Sequence, residues 1–425
     1  MTLAAPPRQR PLSRALLPLG LMFFAVGISV AVVFPFLSLF LSTAVHADPV
    51  QVTVFLIASP LTGVLVSSVV GRVSDRWPIR RKILVGAALF GVVGSLVAMF
   101  VRDYWVLFAL CMTAYAFAGS LFPQSFAYAR QILERDSPGQ AAMGISALRT
   151  VFSLSWVGGP ALAAVLLDVG GFRLVYGLAA ATYALAALIA VVWLEEVEAP
   201  APSKTAEPSA DAPAGPSADA AAGPSADAAA GPEGPRWVLW LTIVAFVLMQ
   251  VPMTLGVQAL PLYIEQDLHS DASRAGLILG LCAALEIPLM LGLGALTTRF
   301  KLQTLILIGG ACGTAYYAIA WVAPNLWVLA AGQVVNALFI SAISGVGITY
   351  VQDLLPGQPG RATTLYTNTF PIGSVVAGPL FGVAAHFGYR SAFGMSTALM
   401  GAGFLLLVVT AMWVRPSRSA TYPTR

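Results

Sequence analysis

Residues 376–381 read VAGPLF, and residues 388–390, just downstream, read GYR. A matching pair occurs earlier in the chain, where residues 156–162 read WVGGPAL and residues 171–173 read GFR. Each copy has a glycine-proline pair inside an apolar run and a glycine-aromatic-arginine triplet after it. The two features are repeated at nearly the same separation along the chain. This internal similarity predicts that the chain consists of two related halves.

The apolar runs around these signatures are long enough to cross a membrane. Of 425 residues, 58% are hydrophobic and 10% are charged, and the mean hydropathy is +0.81. Soluble domains carry about 25% charged residues, and a membrane-spanning helix needs about 20 mostly apolar residues. We therefore predict an all-α membrane protein with twelve transmembrane helices in two six-helix bundles. The predicted spans are 15–41, 50–71, 82–101, 105–129, 143–167, 172–194, 237–263, 273–296, 302–323, 326–351, 362–385 and 390–414.

The predicted domains are a first bundle at 1–194, a linker at 195–235 and a second bundle at 236–425. The linker repeats an octad, PSADAPAG followed twice by PSADAAAG. Alanine, proline, serine and glycine with scattered acids cannot bury a core, so we expect a disordered tether. The first apolar run exceeds the roughly 7–15 residues of a signal-peptide core, which predicts an uncleaved first span.

Basic residues are distributed unevenly between the two sides of the predicted membrane. One side has only Arg102, Arg173, Arg274 and Arg390 in its loops, and the other basic residues lie on or near the opposite side. Because cytoplasmic loops are rich in lysine and arginine, both termini and the linker are predicted to be cytoplasmic. The net charge of +4 is spread over short loops, so we expect contact with membrane lipids and no nucleic-acid binding.

The loop after the second span, residues 71–82, reads GRVSDRWPIRRK. Asp75 can cap a helix end or pair with a neighbouring arginine, whereas the basic cluster suits an anionic leaflet or only sets topology. Gly71, Asp75 and Arg76 resemble the loop signature of the major facilitator superfamily. The resemblance implies two bundles that rock around a central cavity.

A single carboxylate lies deep in a predicted span, at Glu286, two residues before Pro288. An ionisable group at membrane depth is a functional candidate by default, because its insertion costs about 2.5–3.5 kcal/mol. A buried carboxyl suits proton coupling or acceptance of a sugar hydroxyl. The alternative is a structural hydrogen bond or salt bridge between helices.

Other polar residues at membrane depth are predicted to bind substrate or to hold helices together. Arg149 is a candidate for a cavity or gate charge. Amides can bind sugar hydroxyls as both donor and acceptor, and aromatic faces can pack on a sugar ring. Alternatively, amides link helices to one another in lipid. The further binding candidates are Gln124, Gln258, Gln333, Asn336, Asn368, Trp156 and Tyr366. The gating candidates, beside the loop signature, are Arg130, which can also extend to the interface, and Gln352, Asp353 and Arg361.

Several segments resemble the bacterial sugar efflux transporter family: 122–130, 148–160, 284–288, 352–368 and 35–42. The resemblance implies a monomeric carrier in the bacterial inner membrane that exports lactose, glucose or glycoside-like sugars in exchange for protons, without a cofactor. It highlights Arg130, Arg149, Glu286, Gln352, Asp353 and Asn368. Gln258 departs from the acid expected in some members, and the linker is longer than usual.

Four other functions compete with this hypothesis. A receptor-like sensor would need a folded soluble domain, and the linker is not one. A multidrug exporter would have a cavity poorer in amides, and a sugar importer would differ only in direction. An enzyme would need a clustered catalytic set. The three histidines, His46, His269 and His386, all fall in predicted outer loops, and no catalytic, phosphate-binding or metal-ligating spacing occurs. We therefore predict neither an enzyme nor a metal protein. The three cysteines, Cys111, Cys282 and Cys312, are interpreted as small core residues.

Overall fold

The computed structural model describes residues 12–136, 140–196, 236–297, 299–355 and 358–413. Within these ranges the chain forms helices and no strands. Most of the predicted linker lies outside the described residues. The terminal segments before residue 12 and after residue 413 also lie outside them.

The described residues contain eleven helical segments that are long and apolar enough to cross a membrane. One of them, Met143–Val192, has 50 residues. At 1.5 Å per residue it measures about 75 Å, more than twice the roughly 30 Å of a bilayer core. Its backbone is non-helical at Gly171, so it comprises two spans. The prediction of twelve spans is confirmed. Spans 1–4 are Leu16–Ala44, Pro49–Arg76, Arg80–Phe100 and Tyr104–Asp136; spans 5 and 6 divide Met143–Val192; spans 7–12 are Trp237–Gln266, Arg274–Leu296, Leu302–Val322, Leu326–Asp353, Arg361–Phe387 and Arg390–Trp413.

The glycine of each glycine-aromatic-arginine triplet has a positive φ. Gly171 has a φ of 65° and Gly388 a φ of 96°. This backbone region is costly for residues with a Cβ atom, so glycine is required to end one span and start the next. The repeated triplet thus makes the same kind of turn in both halves.

Span 4 extends seven residues past its predicted end at 129, reaching Asp136. The added residues include an ion pair of 2.6 Å between Arg130 and Glu134, one turn apart. Such pairs stabilise a helix beyond the apolar run, which hydropathy alone does not detect.

Span 1 is an interrupted helix. An α-helix at Leu12–Val33 is followed by a 3₁₀ turn at Phe34–Phe36, a short α-helical turn at Leu37–Leu39 and a π-helical turn at Phe40–Ala44. The break coincides with Pro35, which has no backbone N–H to donate. Helix breaks of this kind in membranes need polar groups nearby to satisfy the freed backbone atoms.

The two bundles meet mainly through three pairs of helices. Span 8 packs on span 5, span 11 packs on span 2, and span 7 contacts the break in span 1. We call the end at which span 1 begins the terminal end, and the opposite end the distal end. The contacting residues of spans 2 and 8 lie near the start of each span, and those of spans 1, 5, 7 and 11 lie in the later part. The bundles therefore close on each other at the distal end.

Glycines permit the closest approaches between the bundles. A Cβ atom added to Gly276 of span 8 would collide with the Pro160 carbonyl oxygen of span 5. A Cβ atom added to Gly378 of span 11 would lie 2.5 Å from Cγ1 of Ile57 in span 2. Both glycine-proline pairs that define the internal repeat therefore lie at contacts between the bundles.

Large apolar side chains are exposed around the outside of the helices, including Leu65, Val169, Leu291 and Trp327. A soluble monomer rarely exposes so much contiguous apolar surface, whereas a bilayer solvates it. The chain is a multi-pass membrane protein.

Candidate functional site

A cavity of about 370 Å³ lies between the two bundles. Its walls come from spans 1, 4 and 5 of the first bundle and from spans 7–11 of the second. Because the bundles close at the distal end, the cavity lies on the side of that contact toward the terminal end. A space of this size falls within the range of small-molecule binding sites.

Glu286 and Arg149 line this cavity from opposite bundles, Glu286 on span 8 and Arg149 on span 5. Among the residues that the structure describes, the two form no direct salt bridge. Glu286 is half-buried, whereas Arg149 is exposed. The cavity thus holds one negative and one positive side chain that belong to different bundles.

Helical spacing explains how span 8 presents this wall. Leu279, Cys282, Ala283, Glu286 and Met290 recur at intervals of three or four residues, and all five line the cavity. Residues at these intervals share one face of an α-helix. The carboxylate therefore stands among apolar neighbours, with one thiol a turn away.

Asn336 of span 10 joins the cavity to a buried amide network. Its Nδ2 donates to Oε1 of Gln333 at 2.9 Å and to Sγ of Cys282 at 3.3 Å. Gln333 in turn donates through Nε2 to the hydroxyl of Tyr316 at 3.0 Å. Oδ1 of Asn336 has no hydrogen-bond partner among the described residues, and the side chain lines the cavity. A buried acceptor without a partner is costly, so this oxygen is available to a ligand hydroxyl or to a protonated carboxyl.

Aromatic rings form much of the remaining wall. Trp156 of span 5 lies edge-on to Phe34 of span 1, with ring centroids 6.2 Å apart. Phe370, Tyr316 and Tyr317 contribute from the second bundle. Rings of this kind can pack against the apolar face of a sugar or against other apolar ligands.

Five predicted binding residues lie outside the lining of this cavity, and one of them is Gln333, which accepts the hydrogen bond from Asn336 in the amide network. Gln124 is buried beside Gly71, and its Oε1 lacks a partner among the described residues. The hydroxyl of Tyr366 donates to the carbonyl oxygen of Ile343, within the second bundle. Asn368 is exposed at the interruption of span 11 between its two helical segments.

Gln258, the fifth, lines a second, smaller cavity of about 160 Å³ between spans 1, 2, 7 and 11. Its side-chain amide bonds to the backbone of span 1: Oε1 accepts from the Ser38 N–H at 3.3 Å, and Nε2 donates to the Phe34 carbonyl at 3.0 Å. Phe34, Thr254 and Phe370 line both cavities and separate them.

The predicted gating residues lie toward the terminal end. Asp75 forms an ion pair of 2.6 Å with the buried Arg80, so the acidic residue of the loop signature bonds within its own bundle. Arg76 and Asp353 are exposed. Gln352 donates to Oγ1 of Thr363 at 3.0 Å, and Arg361 donates to Oε1 of Gln358 at 3.0 Å.

Several residues that line the cavity were not among the predicted site residues. Cys282 was interpreted as a core residue, and Phe34, Ser153, Met253, Ser344 and Phe370 were not singled out. The available signal was helical spacing from selected residues: Cys282 precedes Glu286 by four positions, and Ser153 follows Arg149 by four. Within the described ranges, no group of three or more His, Cys, Asp or Glu side chains could hold a metal ion.

Comparison with known proteins agrees with the fold and the repeat. The model of the Major Facilitator Superfamily matches residues 19–324 and 259–424. Sugar efflux transporter A of Dickeya chrysanthemi is 34% identical over 381 residues, which cover 89% of this chain and 91% of the relative. Sugar efflux transporter B of Salmonella typhimurium is 32% identical over 388 residues, covering 90% and 92%. A crystal structure of the peptide transporter POT superimposes with a TM-score of 0.74 at 13% identity, covering 95% of this chain and 96% of that one. The chain belongs to the Major Facilitator Superfamily and, within it, to the family of the bacterial sugar efflux transporters.

Proposed function

We propose that this protein exports sugars across the bacterial inner membrane in exchange for protons, by alternating access. The observation that carries the proposal is the cavity between the bundles, with Glu286 and Arg149 on opposite walls and an amide acceptor at Asn336. The names of the two curated relatives support sugars as the substrate class. Transport changes no covalent bond, so the protein needs binding groups and a proton site and no catalytic set.

Glu286 is the proposed proton site. When its carboxylate is charged, it attracts Arg149 across the cavity, and the low polarity of the wall strengthens this attraction. When a proton neutralises Glu286, that attraction between the bundles is lost. Binding and release of a proton therefore change how strongly the two bundles are drawn together around the cavity, which is what coupling to a rocking motion requires.

A sugar has many hydroxyl groups that both donate and accept hydrogen bonds. Oδ1 of Asn336 can accept from one hydroxyl, and Ser153 and Ser344 offer further hydroxyls in the lining of the cavity. Trp156 can cover an apolar face of the ring. The lining thus supplies polar and aromatic groups together, a combination suited to carbohydrate.

The distribution of arginine and lysine supports cytoplasmic termini. With that orientation, the closed distal end faces the outside and the cavity faces the cytoplasm. This is the state in which an exporter takes up its sugar. We further propose that the two bundles, 1–194 and 236–425, are the moving bodies and that the segment between them tethers them on the cytoplasmic side.

The experiment is sugar uptake into inverted membrane vesicles, in which export appears as accumulation. Radiolabelled lactose is supplied with and without an imposed proton gradient, acidic inside. Accumulation above the external concentration that disappears with an ionophore supports proton antiport. Equal uptake with and without the gradient would refute coupling.

A second candidate function is export of apolar compounds, because Phe122, Phe152, Met253, Ile287 and Ile340 also line the cavity. A lipophilic fluorescent dye can be supplied outside the same vesicles, and its accumulation measured. Dye movement without lactose movement would favour this candidate.

A further inference from the structure

The break in span 1 is completed by a side chain from the other bundle. In a regular α-helix, the Ser38 N–H would donate to the Phe34 carbonyl oxygen, four residues earlier. Here the Phe34 carbonyl instead accepts from the Leu37 N–H, as in a 3₁₀ turn. The Ser38 N–H donates to Oε1 of Gln258, and Nε2 of Gln258 donates to the Phe34 carbonyl.

The Gln258 amide thus stands between the two backbone groups that a regular helix would join directly. A third hydrogen bond reinforces the contact, since the Ser38 hydroxyl donates to the Gln258 carbonyl oxygen. Gln258 is only 2% exposed, so these bonds form away from solvent. An unsatisfied backbone group inside a membrane is costly, so the amide contributes to holding span 1 and span 7 together.

The position of this contact relates it to the path out of the main cavity. Gln258 lines the smaller cavity, which shares Phe34, Thr254 and Phe370 with the main one. Beyond it toward the distal end, span 11 packs tightly on span 2, where a Cβ atom added to Gly382 would collide with Oγ1 of Thr53. The amide therefore lies between the main cavity and the closed distal end.

We propose that Gln258 is a positioning residue of the transport cycle that latches the distal end shut. When the bundles separate there, Gln258 withdraws and Ser38 re-forms the helical hydrogen bond to Phe34. Pro35 does not prevent this change, because the N–H that it lacks and the carbonyl that its ring crowds belong to the pair 35 and 31 and not to Ser38 and Phe34. The Ser38 N–H and the Phe34 carbonyl of span 1 therefore have hydrogen-bond partners in two arrangements, either Gln258 or each other. In intermediate positions, backbone groups of span 1 are left without partners. The inference rests on the proposed alternating access, but its test requires neither sugar nor a proton gradient.

The test uses a cysteine at Leu56, which lines the smaller cavity from span 2. Right-side-out vesicles carrying Leu56→Cys are treated with a membrane-impermeant maleimide, and the labelling rate is corrected for the chain without this cysteine. Adding Gln258→Leu is expected to raise the rate several-fold, because leucine cannot bond to span 1. An unchanged rate in a protein of normal abundance would overturn the proposal.

Gln250→Leu is the matched control. Gln250 lies two turns earlier on the same span and is also buried, but it packs against Gly373 of its own bundle. The control is expected to leave the labelling rate of Leu56→Cys unchanged. A rise equal to that of Gln258→Leu would mean that any change in span 7 opens the distal end, which would also overturn the proposal.

Gln258→Glu tests the hydrogen-bond pattern itself. A protonated carboxyl can accept from Ser38 and donate to Phe34, whereas a carboxylate can only accept and repels the carbonyl oxygen. No charged side chain of spans 1, 2, 7 or 11 is in the described lining of the smaller cavity. Labelling of Leu56→Cys is measured at each pH with Gln258→Glu and with the original Gln258. The ratio of the first rate to the second is expected to rise with pH. A ratio independent of pH would contradict the role of the amide.

Discussion

Glu286 and Arg149 face one cavity from opposite bundles, and no salt bridge joins them within the described part of the chain. The cavity that both side chains line has a volume of about 370 Å³. Because each side chain belongs to a different bundle, any movement that narrows the cavity changes the distance between them. In the proposed mechanism, this pair of residues links protonation of the carboxyl to the position of the bundles.

Replacement of Arg149 tests whether its charge matters for coupling. Arg149→Gln is expected to lower gradient-driven lactose accumulation at least tenfold, since a charged Glu286 then has no opposite charge across the cavity. Arg149→Lys is expected to keep a measurable part of the activity. Initial rates in inverted vesicles provide the comparison, with Arg274→Gln as a control because Arg274 pairs with Asp271 at the surface. Wild-type rates in Arg149→Gln would remove it from the mechanism.

Asn336→Leu is expected to weaken sugar binding and so to raise KM about fivefold to a hundredfold. The reason is the loss of an acceptor to a substrate hydroxyl, which is worth about 1–3 kcal/mol when the partner stays buried and unpaired. KM for lactose efflux is the measurement. Gln303→Leu is the control, because Gln303 bonds to the Ala411 carbonyl away from the cavity. If both variants have the wild-type KM, Asn336 does not contact the sugar.

Because Gly378 lies in tight contact with Ile57, a larger residue at position 378 is expected to change the populations of the closed and open states of the distal end. Gly378→Val would clash only when the distal end is closed, so the cavity should be open to the terminal end for less of the time. A cysteine at Ser344, in the cavity wall, should then label several-fold more slowly from the cytoplasmic side. In the control Gly292→Val, an added Cβ atom meets nothing within 4 Å. Equal labelling in the two variants would show that the contact does not control opening.

Replacement of Gly388, at the turn before span 12, is expected to lower the stability of the protein without a specific loss of sugar binding. Alanine at this φ of 96° is strained by about 1–3 kcal/mol. Gly388→Ala is therefore expected to lower the thermal unfolding temperature in detergent. Gly401→Ala, inside span 12 with only ordinary contacts near its Cβ position, should not lower it. An unchanged unfolding temperature in Gly388→Ala would mean that the backbone of the turn adjusts to alanine without strain.

The fold could be predicted because its determinants are local. Apolar runs of sufficient length define the spans, and the repeated glycine-aromatic-arginine triplet corresponds to positive-φ turns at Gly171 and Gly388. Glu286 could be singled out because a carboxylate at membrane depth is rare. These signals require no knowledge of which helices are neighbours.

The partners of the amides could not be predicted, because they depend on how distant spans pack. Gln258 and Asn336 look alike in sequence, because each is an amide in an apolar helix. Gln258 bonds to the broken backbone of span 1, whereas Asn336 lines the cavity with an acceptor that has no partner in the described part of the chain. Neither the 3₁₀ turn at Phe34 nor the approach of span 7 is encoded in periodicity. The number of spans follows from hydropathy, whereas the roles of single polar residues follow from tertiary contacts.

The most direct test of the account is gradient-driven lactose accumulation by Glu286→Gln in inverted vesicles. Glutamine keeps the size and hydrogen bonding of the side chain but cannot exchange a proton. We expect accumulation against a concentration gradient to be lost while downhill lactose movement and protein abundance persist; Asp271→Asn, at the surface, should behave as wild type. Undiminished accumulation in Glu286→Gln would contradict the assignment of Glu286 as the proton site.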